Sequence, residues 1–266
     1  MTPDEKWLLE EKYAGQETTE YEADKKRLEA GEPLGYVIGW QPFLGLKMYL
    51  DSRPLIPRPE TEWWTEQLLR VTSERAEEKS VVGLGRAARS ATDFSSAREQ
   101  VTFLDLCSGS GAIGCAALAK LPNADIYFGE IDPAHKATIL KNIRENHLDE
   151  SRTDVRIGDL FEPFNDMKFD IIATNPPYVP ADRVLPASVA NHEPSLALLA
   201  GKDGLDVIRR IAKELPKHLA PDGIAWIECD RGNAEATRTL FEEPGFNALI
   251  RTDQYDKPRI VVVSFP

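Results

Sequence analysis

Two short stretches hold the residue types from which chemistry can be built: "DLCSGSGAIG", residues 105–114, and "NPPY", residues 175–178. In the first, Gly109, Gly111 and Gly114 fit G-x-G-x-x-G, the spacing that closes a strand-to-helix turn and lets the backbone approach a ligand. Glu130 ends the next strand-like run, where a carboxylate can accept both hydroxyls of a ribose. A nucleoside-type cofactor is the expectation, and a tight turn without a ligand is the alternative. The spacing alone fits either a nicotinamide dinucleotide or S-adenosylmethionine. Dehydrogenases place a pyrophosphate at the helix start. Asp105 is a poor neighbour for phosphate and a good one for the cationic amino-acid end of S-adenosylmethionine, which tilts the reading toward the methyl donor. In "RIGDLF", Asp159 either accepts from an adenine amine, with the Leu160 backbone against the ring, or caps a turn.

The second stretch follows the apolar run "FDIIAT". Two adjacent prolines exclude a strand or helix interior, so Asn175, Pro176, Pro177 and Tyr178 form a stiff corner. Methyl transfer from a sulfonium is an in-line displacement whose difficulty is orientation. An amide or aromatic amine nitrogen is a weak nucleophile with two N–H groups. The Asn175 side-chain oxygen and the Pro176 carbonyl can each accept one of them, and Tyr178 offers a flat face to a planar group. A rigid turn with a packed tyrosine is the plain alternative.

These residues need elements to hold them. From residue 101, strand-like and helix-like runs alternate: "VTFLDL", "AIGCAALAKL", "DIYFGEI", "AHKATILKNIRENHL", "DVRIGDL", "FDIIATN", "GLDVIRRIAKELPKHL" and "GIAWIEC". Such alternation means a parallel sheet flanked by helices. The last two runs, "FNALIRT" and "RIVVVSF", are joined too closely for a crossover, so they pair antiparallel. In front lie a polar helical segment (1–35), a β-hairpin over "YVIGWQPFLGLKMYLD" with a linking helix from Pro59 (36–72), and a flexible insertion (73–100). The main domain spans 101–266, and ligands of such sheets bind beyond the carboxyl ends of the strands.

Composition narrows the classes. The net charge of −12 disfavours phosphate backbones and anionic membranes, so neither direct nucleic-acid binding nor a membrane partner is expected. No apolar run approaches the ~20 residues that cross a bilayer. Cys107, Cys115 and Cys229 lack Cys-x-x-Cys spacing, and His135, His147, His192 and His218 lack a metal-ligand spacing. No metal is expected, and the compartment reads as intracellular and reducing.

In order along the chain, "LIPRPETE", "DLCSGSGAIG", "GEIDP", "GDLF", "NPPYVP", "HEPSLAL" and "GKDGLD" resemble the HemK/PrmC family of glutamine-N5 methyltransferases, which modify peptide-chain release factors. The likeness runs from about Gly31 to the C-terminus. "NPPY" is shared with amino-methylating nucleic-acid enzymes, whereas "IPRPETE" is far more specific. The resemblance implies an α/β fold, a Rossmann-like class I methyltransferase with a mostly parallel seven-stranded sheet and an antiparallel last strand. It implies that Cys107, Ser108, Gly109, Ser110, Gly111, Glu130, Leu160 and Asn175 bind S-adenosylmethionine, with Asp105 and Asp159 added from the readings above. It also implies that Asn175, Pro176, Pro177 and Tyr178 hold the glutamine of a Gly-Gly-Gln motif, with Asn175, Pro176 and Tyr178 catalytic. S-adenosylhomocysteine is then the product, a release factor the partner, and mitochondrion or cytoplasm the compartment. The rivals are amino-methylation of adenine or guanine in nucleic acid, a dehydrogenase, and a silent binding relative.

Overall fold

The computed structural model describes residues 1–85 and 100–266. Helices α1 (Pro3–Tyr13) and α2 (Thr19–Glu29) are each opened by a threonine whose side chain accepts from the first turn, Thr2 from Glu5 N–H and Thr18 from Tyr21 N–H. A short helix α3 (Leu34–Ile38) follows, begun at Pro33 and stopped by Gly39 at φ +96°. Residues 36–38 therefore leave the expected hairpin and join a helix, because Val37 and Ile38 bury against Leu8 and Tyr21. Tertiary packing overrides their strand preference.

The hairpin itself is β1 (Trp40–Phe43) and β2 (Leu46–Tyr49), with Phe43 paired to Leu46. Leu44 and Gly45 both take positive φ, +49° and +81°, the twist that a two-residue turn needs between strands. The Leu44 N–H is held by Glu62 Oε1 at 2.6 Å. Glu62 lies on α4 (Pro59–Gly85), which starts at the expected proline and runs past the expected boundary at 72. The run "TSERAEEK" consists mostly of good helix formers, which lets the helix continue. The remainder of the expected insertion, 86–99, lies outside the described residues.

The main domain alternates as its pattern predicts: β3 (Val101–Leu106), α5 (Ala112–Lys120), β4 (Ala124–Glu130), α6 (His135–Glu145), β5 (Thr153–Ile157), β6 (Phe169–Thr174), α7 (Ala187–Ala190), α8 (Asp206–His218), β7 (Leu219–Glu228), α9 (Ala234–Glu242), β8 (Asn247–Thr252) and β9 (Pro258–Ser264). The seven strands lie in the order β5-β4-β3-β6-β7-β9-β8, and β9 runs antiparallel to both neighbours. One face packs on α4, α5 and α6, the other on α8 and α9. The strand order turns back between β3 and β6, which opens a crevice at their carboxyl ends.

Two asparagines fasten the hairpin beside that crevice. Asn142 of α6 accepts from Tyr49 N–H at 2.6 Å and donates to Tyr49 C=O at 3.1 Å; Asn146 does the same to Lys47 at 2.9 and 3.0 Å. Four helical residues rise about 6 Å and two strand residues span about 6.8 Å, so side-chain amides four apart can serve backbone groups two apart. The helix stands in for a third strand. Asn142 also donates to Ser110 C=O at 2.8 Å, tying hairpin and glycine loop together.

Gly114 lets α5 lie on β4, since a Cβ there would sit 2.3 Å from the Phe128 ring. Gly114→Ala is expected to cost about 1–3 kcal/mol by overpacking, read as a lowered thermal unfolding midpoint with the fold otherwise retained.

Candidate active site

The crevice beyond β3, β4 and β6 has two arms. The larger, about 190 Å³, is lined by Cys107, Gly109, Glu130, Asp159, Leu160, Asn175 and Pro177 together with Leu55, Ile131, Leu196 and Leu199. The smaller, about 50 Å³, lies between Cys107, Ser108, Gly109 and Ser110 on one side and Leu55, Pro57 and Thr61 on the other. Asn175 borders both arms. A nucleoside-sized group has room only in the first.

The glycine loop is built largely from its own hydrogen bonds. Ser108 donates through Oγ to Asp105 C=O at 2.7 Å and through N–H to Gly129 C=O at 3.1 Å, so it ties the loop to β4. Glu130 accepts from Gly109 N–H at 2.7 Å and Asp132 N–H at 2.9 Å, one on each oxygen. A carboxylate offers about four acceptor positions, so both oxygens keep capacity for ribose hydroxyls. Burial, with Glu130 nearby, pushes the Cys107 thiol up to about 12, which keeps it neutral near pH 7. Gly111, at φ +79°, caps α5 and lines neither arm.

Asp105 is not where the sequence reading put it. Its side chain is fully buried under the start of α5, with Oδ2 accepting from Gly114 N–H at 2.8 Å, and burial pushes its carboxyl well above the usual range. A carboxyl so placed organises the turn, and it lines neither arm of the crevice. Asp159 does line the larger arm, and its Oδ2 pairs with Arg210 at 2.8 Å. Oδ1 is left for an incoming amine.

At the corner, Asn175 and Pro177 face the crevice while Pro176 is buried. Tyr178 turns inward, away from both arms, and donates its hydroxyl to Glu228 Oε1 at 2.9 Å. Its half-buried ring packs against the core on the α8 and α9 side of the sheet. Three residues here escaped the sequence reading. Glu228, 1% exposed at the end of β7, accepts on Oε2 from Thr61 Oγ1–H at 2.7 Å and Trp64 Nε1–H at 2.6 Å. Thr61 in turn accepts from Asn175 Nδ2–H at 3.1 Å. Burial raises the Glu228 carboxyl against the pull of its three donors, and burial also raises the Tyr178 hydroxyl. The available signal was a lone acid ending the apolar run "GIAWIEC".

"IPRPETE" and "HEPSLAL" meet across the mouth. Arg58 pairs with Glu193 at 2.5 Å, and Ile56 N–H donates to the same carboxylate at 3.3 Å. "HEPSLAL" also runs beside the corner: Val179 N–H donates to Leu198 C=O at 2.8 Å and Ala200 N–H to Val179 C=O at 2.9 Å.

Residues 91–191 match the Methyltransferase small domain family. The release factor glutamine methyltransferase of Thermodesulfovibrio yellowstonii is 36% identical over 222 residues, 82% of this chain and 71% of that protein. The chain belongs to the release factor glutamine methyltransferase family. The ribosomal protein uL3 glutamine methyltransferase of Bradyrhizobium diazoefficiens is likewise 36% identical, over 82% of this chain and 64% of its own length. The chain spans about half, 48%, of a bifunctional methyltransferase of Rickettsia felis at 33% identity. Among solved structures, the hMettl16 catalytic domain superposes with a TM-score of 0.54 over 84% of this chain and 76% of that one, at 17% identity, a likeness of fold. Within the family fold, the described residues include no helix long and apolar enough to cross a membrane and no cluster of three His, Cys, Asp or Glu able to hold a metal.

The Glu193 side chain is 1% exposed and that of Arg58 32%. Arg58→Met leaves that carboxylate with one backbone donor. It is expected to lower unfolding stability in urea by about 2 kcal/mol, less than the ~3–5 kcal/mol for a wholly buried pair, because Arg58 is partly in water.

Proposed function

We propose that this chain methylates N5 of the glutamine in the Gly-Gly-Gln motif of a peptide-chain release factor, with S-adenosylmethionine as donor. One observation carries the reading. Asn175 stands where the two arms meet, with its Nδ2 taken by Thr61 and its Oδ1 without a donor among the described residues. An acceptor so placed suits a substrate that brings N–H groups.

Chain chemistry fits the donor. Glu130 would take the ribose hydroxyls, Ile131 and Leu199 would flank the adenine, and Asp159 with the Leu160 backbone would meet its polar edge. Cys107, Gly109 and Ser110 would line the amino-acid end. Bound S-adenosylmethionine supplies a methyl group already activated on sulfur. Asn175 Oδ1 holds one amide N–H of the glutamine and the Pro176 carbonyl holds the other, aiming the nitrogen lone pair. These acceptors would stabilise the positive charge that the nitrogen gains on taking the methyl group, until one N–H proton leaves to solvent. Leu55 and Pro57, on the segment Arg58 clamps to Glu193, close the substrate side.

Family membership supports a glutamine amide over a nucleic-acid base, as does the net charge of −12. A relative named for ribosomal protein uL3 makes that protein the rival substrate. Labelled donor offered with release factor, uL3 and bulk RNA and DNA is expected to label the release factor, at the Gly-Gly-Gln peptide by mass spectrometry. Label confined to uL3 or nucleic acid refutes the assignment. Asn175→Ala should lose about 100-fold or more in turnover while still binding the donor by calorimetry.

A further inference from the structure

Glu228 lines neither arm and Thr61 borders the smaller one, yet together they decide which end of the Asn175 amide faces the crevice. Direction passes along the hydrogen bonds. The Trp64 indole is a donor only, and it sits 2.6 Å from Glu228 Oε2, so that oxygen must accept. The ionised carboxylate has no proton to give, so Thr61 spends its one hydroxyl proton on the same oxygen at 2.7 Å. Toward Asn175 its Oγ1 has lone pairs alone and can only accept, at 3.1 Å. The amide must therefore turn Nδ2 inward and Oδ1 outward. A flipped amide would set two acceptors against each other in a nearly dry site, where Thr61 is 4% and Glu228 1% exposed.

We propose that Thr61 and Glu228 are positioning residues that lock Asn175 as an acceptor toward the substrate amide. The inference rests on the methyl transfer proposed above and extends it. A site that only accepts welcomes the –NH2 of glutamine and repels the carboxylate of glutamate. The lock also couples the front appendage to the reaction, because Thr61 and Trp64 belong to α4 whereas Asn175 follows β6. Tyr178, held by the other oxygen of Glu228, keeps the corner from swinging away.

Thr61→Val keeps shape and removes the hydroxyl, Thr61→Ser restores it, and Glu228→Gln blurs which oxygen accepts. With a Gly-Gly-Gln substrate, Thr61→Val and Glu228→Gln are expected to lose about 100-fold in kcat, with the donor Kd within about 3-fold of wild type. Thr61→Ser should recover most of the loss. Asn175→Ala combined with Thr61→Val should be no worse than Asn175→Ala alone. Wild-type turnover in Thr61→Val, failure of Thr61→Ser to recover, or additive losses in the double variant would each overturn the proposal. A readout without turnover guards against variants that fail to fold. In wild-type protein labelled with 15N at asparagine, the Asn175 side-chain amide should show one proton protected from exchange, assigned by its loss in Asn175→Ala. An Asn175 amide exchanging freely would sink the inference. If the wild type methylates no glutamine, the proposed reaction fails, and the amide measurement still decides the lock.

Discussion

A carboxylate removed from water has to be supplied with donors, and Glu228 draws its three from two segments more than a hundred residues apart. Thr61 and Trp64 come from the helix after the hairpin, Tyr178 from the corner after β6. Separating either segment would leave a buried acceptor unpaired, a penalty of about 1–3 kcal/mol or more for a charged group. The appendage is thereby bound to the sheet at the place where chemistry is proposed. Asn142 and Asn146 do the same on the far side, holding the hairpin edge and the Ser110 carbonyl in one network. Hydrogen bonds join glycine loop, hairpin, α4 and corner in one cradle.

Rigidity matters because the proposed reaction asks for orientation more than for acid or base. Two prolines stiffen the corner, the Val179 and Ala200 backbone bonds brace it from one side, and Glu228 anchors it from beneath. The donor side is fixed differently. Ser108 and Glu130 hold the loop to β4 before any ligand arrives, so binding would exchange few bonds. Both halves are preorganised, which spares the ordering entropy that a floppy site would lose on binding.

The parallel sheet, its antiparallel end, the glycine turn, the proline corner and the start of α4 were all legible in the sequence, because each rests on local rules of periodicity and backbone restriction. Three features take positions that local pattern does not predict. Residues 36–38 look like strand and pack as helix; Asp105 looks like a ligand and is a buried brace; Tyr178 looks like a wall and is an anchor. In each case a packing partner decides the outcome: Leu8 and Tyr21 for α3, Gly114 at the nearby start of α5 for Asp105, and Glu228 for Tyr178. Where the helix after Pro59 stops was also misjudged, since good helix formers carry it to Gly85.

By itself the sequence determined the fold class, the family, and the two stretches between which a methyl group would pass, because residue type and spacing already restrict what those stretches can be. Which face each side chain shows was left to the tertiary structure. Asn175 has two chemically different ends that no local rule distinguishes, and only the donor-only indole of Trp64, brought to Glu228 by packing, chooses between them.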